Sequence, residues 1–183
     1  MKLWLIRHAQ PLVEAGVCYG RLDLAADTQA TRLCAQALAR LLPQGLAVVT
    51  SPLQRCEQLA QVLLGLRPDL ALKTDGRLRE MDFGAWEGQR WDAIGPAALD
   101  AWVADFGAHH PGGGESVQGF MQRVATAWDQ TWGESSGAAD TAWITHAGVI
   151  RAATLLHQGR RQVSRADHWP AAAPGFGEWT MLG

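Results

Sequence analysis

Two apolar runs in this chain end on a histidine. KLWLI (residues 2–6) breaks off at Arg7-His8, and TAWIT (residues 141–145) breaks off at His146. A third run, GLAVVT (residues 45–50), gives way to Ser51-Pro52 and then to Arg55. In open α/β sheets, ligands sit outside the carboxyl ends of the strands. Three such strands lying in one sheet would place two imidazoles and two guanidiniums in a single crevice. A helix beginning near Ser51 adds free N–H groups and the positive end of its dipole. Phosphate suits this arrangement. Paired guanidiniums grip its oxygens bidentately and offset the charge that grows during phosphoryl transfer. An imidazole with a pKa near 6.5 is substantially neutral at pH 7 and can attack phosphorus. The leaving oxygen then needs a proton. RLREMDFGAWEG (residues 77–88) supplies carboxylates, Glu80 among them, in a stretch without a clean period where a site loop is expected.

Each residue taken alone has a plainer reading. A histidine at a strand end is commonly structural, Arg55 in a first helical turn is commonly a solvated charge, and Glu80 can pair with an arginine on the surface. Their joint placement carries the functional reading.

The elements that must position these residues alternate. Lys2–Ile6 reads as a strand, and residues 9–27 as a loop. Ala30, Leu33, Cys34, Ala37, Leu38 and Leu41 recur at helical spacing, giving a helix that ends near Pro43. After the strand GLAVVT, SPLQRCEQLAQVLLG (residues 51–65) reads as a helix with Ser51 at N-cap, Pro52 at N1 and a terminal glycine. LALKT (residues 70–74) is a short third strand. Residues 75–114 are less regular, with one or two short helices expected between Trp91 and Phe106 and a flexible loop at HHPGGGES (residues 109–116). Val117, Phe120, Met121, Val124, Ala127, Trp128 and Thr131 mark the buried face of the next helix. The strand DTAWIT (residues 140–145), a short helix GVIRAATLLH (residues 148–157) and a final strand complete the chain. Alternation with continuously apolar strands predicts an α/β fold, a three-layer α/β/α sandwich around a mainly parallel sheet. Residues 1–183 are expected to form a single domain, since the chain is short for two.

Composition narrows the partners. Lys+Arg 16 against Asp+Glu 18 gives a net charge of -2, with no run of like charges. That argues against nucleic acid. No stretch approaches the ~20 apolar residues of a membrane span, and the start is charged too soon for a signal peptide. Cys18, Cys34 and Cys56 lack any CxxC spacing, so buried thiols in a reducing cytoplasm fit better than metal ligation. Of the nine tryptophans, only Trp4, Trp128 and Trp143 are readily explained as core. Oligomeric state is left open.

At these residues the sequence resembles the histidine phosphatase superfamily, in its phosphoglycerate-mutase-like branch. LIRHAQP stands where that family carries Arg-His-Gly, SPLQRCEQLA resembles its Ser-Pro-Leu-x-Arg helix, and RLREMDFGAWEG its Leu-x-Glu…Gly-x-Trp-Glu-Gly segment. PGGGES and ITHAGVIR complete the order. The resemblance implies that His8 is phosphorylated, that Arg7, Arg55 and His146 bind the phosphoryl group, and that Glu80 is the proton donor. Gln10, Tyr19 and Ala147 join them as phosphate or substrate contacts. It implies no cofactor and no metal, and a small phosphorylated substrate. CYGRLD and the short chain look most like α-ribazole phosphatase-type members, which makes α-ribazole 5′-phosphate one candidate substrate and leaves the identity of the ester open. Ala9, Gln10 and Glu14 depart from the family pattern, and the Glu14 carboxylate is expected to point away from phosphate. Trp86, Trp91, Trp102, Phe106, His109 and Tyr19 lie in segments that could roof the site.

Three other readings stand beside this one. A phosphoglycerate mutase would need a longer chain to enclose its substrate. A metal-dependent hydrolase would draw on His8, His109, His110, His146 or His168, but no binuclear Asp/His spacing accompanies them. A non-catalytic phosphate-ligand binder is suggested by positions 9, 10 and 14 and opposed by the presence of every residue the chemistry needs.

Overall fold

Alternation along the strands explains the layering. In β1 (Leu3–Arg7), Leu3 and Leu5 point to one side while Trp4 and Ile6 point to the other. All four are buried, so the strand has apolar partners on both faces, as parallel sheets require. The computed structural model describes residues 1–134 and 139–183. Five strands form one sheet in the order β3-β2-β4-β1-β5. β2 (Ala47–Thr50), β3 (Ala71–Thr74) and β4 (Thr141–Thr145) run parallel with β1 as their pairing dictates, and β5 (Trp179–Leu182) closes the edge antiparallel to β1. On one face lie α1 (Thr28–Leu41) and α2 (Gln54–Leu66), packed on Trp4, Ile6, Val48 and Ile144. On the other lie α4 (Val117–Glu134) and α5 (Ala147–His157), packed on Leu3, Leu5, Val49 and Trp143. A shorter helix, α3 (Pro96–Ala104), and 3₁₀ turns at Gly76–Leu78, Gly84–Trp86, Trp91–Ala93 and Pro111–Gly113 occupy the stretch without a clean period. The three-layer α/β/α sandwich with a mainly parallel sheet is therefore the observed architecture.

Register places the site. Arg7 pairs with Thr145, and Thr50 with Ile144. One step further, the His8 N–H donates to Thr145 O at 3.0 Å and the Ser51 N–H to Ile144 O at 2.9 Å. His8, Ser51 and His146 thus leave three adjacent strands at one level.

Two expectations need correction. The second helix starts at Gln54, not at Ser51, and Leu53 in the cap position offers no side-chain hydrogen bond. Ser51 is still tied to the sheet by its N–H, and the cap comes from afar: Asp23 Oδ1 accepts the Gln54 N–H at 2.7 Å. Gly65 lies inside the helix, which ends at Leu66. The loop at residues 109–116 is pinned rather than loose. The Glu115 N–H donates to Asp82 O at 2.7 Å and the His110 ring to Gly114 O at 2.8 Å. Its glycines serve close approach: a Cβ on Gly112 would lie 2.1 Å from Phe83 O.

Trp4, Trp128 and Trp143 are core residues, as expected. Trp86 and Trp102 interleave with Phe83 and Phe106, the Trp102 ring lying 5.9, 5.8 and 5.4 Å from Phe83, Trp86 and Phe106. Edge-on and offset contacts at these distances hold the irregular segment together, and Phe83 and Trp102 pack it against the core cluster to which α4 contributes. Among the described residues, no helix is long and apolar enough to cross a membrane.

Candidate active site

His8 and His146 face each other with ring centroids 5.1 Å apart, both buried. The His8 Nδ1 lies 2.7 Å from the carbonyl oxygen of Ala9. A carbonyl only accepts, so Nδ1 carries the hydrogen and Nε2 keeps its lone pair in the neutral ring. Arg55 Nε donates to that Nε2 at 3.3 Å. On the other imidazole, His146 Nε2 meets Ser51 Oγ at 2.8 Å and Cys56 Sγ at 3.5 Å. Ser51, read from sequence as a helix cap, instead fixes the orientation of His146.

Arg55 is wholly buried, not solvated. CYGRLD holds it there. Arg55 Nη2 donates to Gly20 O at 2.6 Å and Nη1 to Leu22 O at 2.8 Å. With Nε on His8, two of the guanidinium's five N–H groups remain for a phosphate oxygen. The neighbours in that stretch secure it. Glu87 accepts from the Arg21 N–H at 2.9 Å and from the Leu22 N–H, Arg21 pairs with Asp82, and Asp23 caps α2. Gly20 has no room for a side chain, because a Cβ would sit 1.9 Å from Met81 O. Tyr19 lies between the cations. Its ring is 5.5 Å from the Arg55 guanidinium, and it interacts electrostatically with Arg7.

Arg7 donates from Nη1 to Pro174 O at 2.9 Å and stacks 3.9 Å above the Phe176 ring, which also lies 5.5 Å from His8. The C-terminal segment thereby roofs the imidazole. Phe176 was not singled out in the sequence, where it reads as one apolar residue in a glycine- and proline-rich tail.

Glu80 is fixed by main chain. Its Oε1 accepts the Met81 N–H at 3.0 Å, and its Oε2 accepts the Gly148 N–H at 2.9 Å in the first turn of α5. That turn begins beside His146, so the carboxyl is held against the same helix start as the second imidazole. Gly148 is there for space: a Cβ would fall 2.1 Å from Glu80 Oε1. Arg123 grips the segment from behind, donating to Arg77 O at 2.7 Å and Arg79 O at 3.0 Å while paired with Glu115 at 2.7 Å. Beside Glu80 opens a cavity of about 160 Å³ lined by Tyr19, Phe83, Trp102, Phe106, Gly148 and Arg151 among others.

Arg7, His8, Arg55, Glu80, His146 and Tyr19 are therefore brought together. Ala147 opens α5, so its N–H has no acceptor within the helix. Gln10 is not brought in: it is exposed, and its amide turns to Pro11 O at 3.5 Å. Glu14 is exposed and lies near Arg90, away from the imidazoles as expected. Of the aromatic residues expected as a roof, Tyr19, Trp102 and Phe106 line the cavity. Trp91 packs behind them on Phe83 and Trp86, and Trp86 on Trp102. Among the described residues, no group of three or more His, Cys, Asp or Glu side chains is arranged to hold a metal.

Burial, with Arg55 and Arg7 adding repulsion, pushes the His8 pKa down to about 3. Burial, Arg55 and His8 hold His146 well below its ordinary value. Both rings stay neutral across the range in which an unfolded histidine takes up a proton, around pH 6.5. The unfolded chain then binds more protons than the folded one, so the stability these groups contribute is present above pH 6.5 and lost as pH falls toward 3. The unfolding free energy is expected to drop through that window by up to about 1.4 kcal/mol per pH unit per ring, read as a falling melting temperature. His8→Gln should flatten the fall, and an unchanged slope in that variant would contradict the assignment.

With this geometry in place, likeness to known proteins becomes informative. Residues 3–173 match the family model of the histidine phosphatase superfamily (branch 1). A glucosyl-3-phosphoglycerate phosphatase of Mycolicibacterium vanbaalenii is 31% identical over 198 residues, covering 99% of this chain and 83% of its own. A Hydrogenobacter thermophilus protein provisionally named a phosphoserine phosphatase is 30% identical over 164 residues, covering 86% of this chain and 79% of its own. The native structure of a mycobacterial glucosyl-3-phosphoglycerate phosphatase superposes with a TM-score of 0.78 at 27% identity, covering 98% of this chain and 88% of that one. Strand-end histidines, a buried arginine on the next helix and a sequence match over nearly the whole length agree: the chain belongs to the histidine phosphatase superfamily, branch 1.

Proposed function

We propose that this protein is a phosphomonoesterase working through a phosphohistidine at His8, on a small phosphorylated metabolite. The observation that carries the reading is the contact of Arg55 Nε with the unprotonated Nε2 of a buried, neutral His8. The guanidinium holds the lone pair's site and is placed to pass to a phosphate oxygen when phosphorus arrives. In the first step Nε2 attacks phosphorus in line, the P–O ester bond breaks, and Glu80 gives its proton to the departing alkoxide. In the second, water attacks phospho-His8, Glu80 takes the water's proton, the P–N bond breaks and phosphate leaves. Arg7, Arg55, His146 and the Ala147 N–H hold the non-bridging oxygens, and the two guanidiniums do the charge neutralisation that a metal would otherwise supply. Residues 1–183 act as one domain on this reading, and three unpaired, buried cysteines suit a reducing cytoplasm.

For the substrate, the relatives' names point to phosphate esters of small acids, glucosyl-3-phosphoglycerate and phosphoserine. They lend no support to α-ribazole 5′-phosphate, and here CYGRLD serves as the Arg55 holder. The test is an ester panel run with and without EDTA. It holds p-nitrophenyl phosphate, 3-phosphoglycerate, phosphoserine and α-ribazole 5′-phosphate. Release of phosphate unaffected by EDTA is expected. Loss of activity with EDTA would move the chain to the metal-dependent class, and interconversion of phosphoglycerates without net phosphate release would make it a mutase.

A further inference from the structure

Two cavities open at Glu80: a larger one of about 350 Å³ lined by Arg21, Arg79, Asp82, Glu115 and Arg123, and a smaller one that reaches Tyr19, which lies by Arg55, and Gly148, which follows His146 by two residues. A leaving group whose oxygen Glu80 protonates is placed in the second, on the side of the imidazoles. At about 160 Å³ this cavity is well under the ~300 Å³ at which pockets for drug-sized ligands begin. A few carbon atoms fit better than a nucleoside. Its walls are mostly aromatic, and the charged side chains lining it are Glu80 and Arg151.

Arg151 is the unusual one. It projects from α5 one turn beyond Gly148, and its Nη2 donates to Ala171 O at 3.0 Å. Its Nε is buried with no hydrogen-bond partner, as is the Nε1 of Trp102 on the same cavity. Arg21 is answered by Asp82, Arg123 by Glu115 and Arg55 by two carbonyls, while Arg7, whose Nε is likewise unpartnered, belongs to the phosphoryl site. Among the described residues, Arg151 forms no ion pair, and its charge reaches Arg7. A buried donor without an acceptor is costly, and a guanidinium fork matches a carboxylate.

We infer that Arg151 binds an acidic group of the leaving alcohol, a carboxylate, so that the preferred substrates are phosphate monoesters of short hydroxy acids. This rests on the phosphatase reading of the same site. Arg151 then selects the ester, while Arg7 and Arg55 hold the phosphoryl group common to all esters.

The test compares 3-phosphoglycerate with glycerol 3-phosphate, which has a hydroxymethyl group in place of the carboxylate. For the unaltered protein, kcat/KM should favour the acid by about tenfold to a hundredfold, as for one charge-assisted hydrogen-bonded pair. Arg151→Gln should bring the ratio close to one, and Arg151→Lys should restore part of it by keeping charge without the fork. Loosening of the tail through the lost Ala171 bond would lower both substrates together and leave the ratio intact. A ratio near one in the unaltered protein, or an undiminished ratio in Arg151→Gln, overturns the inference. So does hydrolysis of p-nitrophenyl phosphate with neither three-carbon ester turned over, an outcome that leaves the phosphatase reading standing. Only failure on every ester removes both.

Discussion

His8→Ala is expected to lose on the order of 10⁴-fold or more in turnover of any phosphate ester, the scale seen when a covalent nucleophile is removed. Nothing else near the phosphate can take its place. His146 is the nearest imidazole, but its Nε2 is engaged by Ser51 Oγ at 2.8 Å. Cys56 is buried, and burial holds its thiol far above the range in which a thiolate forms. The variant should still fold. Arg55 loses one acceptor and keeps the carbonyls of Gly20 and Leu22, and the His8 N–H to Thr145 O bond belongs to the main chain. Circular dichroism checks the fold, steady-state hydrolysis of p-nitrophenyl phosphate checks the rate, and rapid quenching looks for an acid-labile phosphoprotein. The unaltered protein should yield that species and the variant none. A folded His8→Ala protein retaining more than a few per cent of activity would remove His8 from the mechanism.

Side chains that announce themselves by type and place were legible before the fold was. Arg7, His8 and His146 end apolar runs whose strand character is fixed by composition alone, and adjacency of β2, β4 and β1 then brings their ends together. Among the carboxylates of its segment, Glu80 was picked out as the proton donor only through the resemblance, since the segment has no period and the side chain's position depends on two main-chain N–H groups. What could not be read was work done by the backbone. Gly20 and Leu22 hold Arg55 through carbonyl oxygens, which every residue possesses, so no residue type marks them. Ser51 carried a correct local signal for a turn entering a helix. Its tie to β4 goes with a helix start at Gln54, and its hydroxyl, which accepts the Leu53 N–H at 3.3 Å, also meets His146. Gln10 failed in the opposite sense: it follows the catalytic pair in the chain, but the turn at Pro11 carries its amide outward. Phe176 and Arg151 became visible only once the tail was seen to fold back over β1, where Arg7 donates to Pro174 O and Arg151 to Ala171 O.

Glu80→Gln separates the two chemical steps, and its expected signature depends on the leaving group. An alkyl ester needs a proton on its departing oxygen, so removing the acid should cost about 10²- to 10⁴-fold in kcat/KM. Nitrophenolate leaves without help, so the first step with p-nitrophenyl phosphate should be far less affected. The second step lacks its base in both cases. With the activated ester, the variant should therefore release a near-stoichiometric burst of nitrophenol and then stall as phospho-His8, which quenching would capture. With the alkyl ester it should show no burst. Glutamine keeps the length of the side chain and one acceptor for the Met81 and Gly148 N–H groups, so the segment stays in place, held from behind by Arg123. A mere loosening of that segment would slow both esters alike and leave no phosphoenzyme waiting. Equal losses on the two esters without a burst would thus show that Glu80 positions the helix start of α5 and moves no proton.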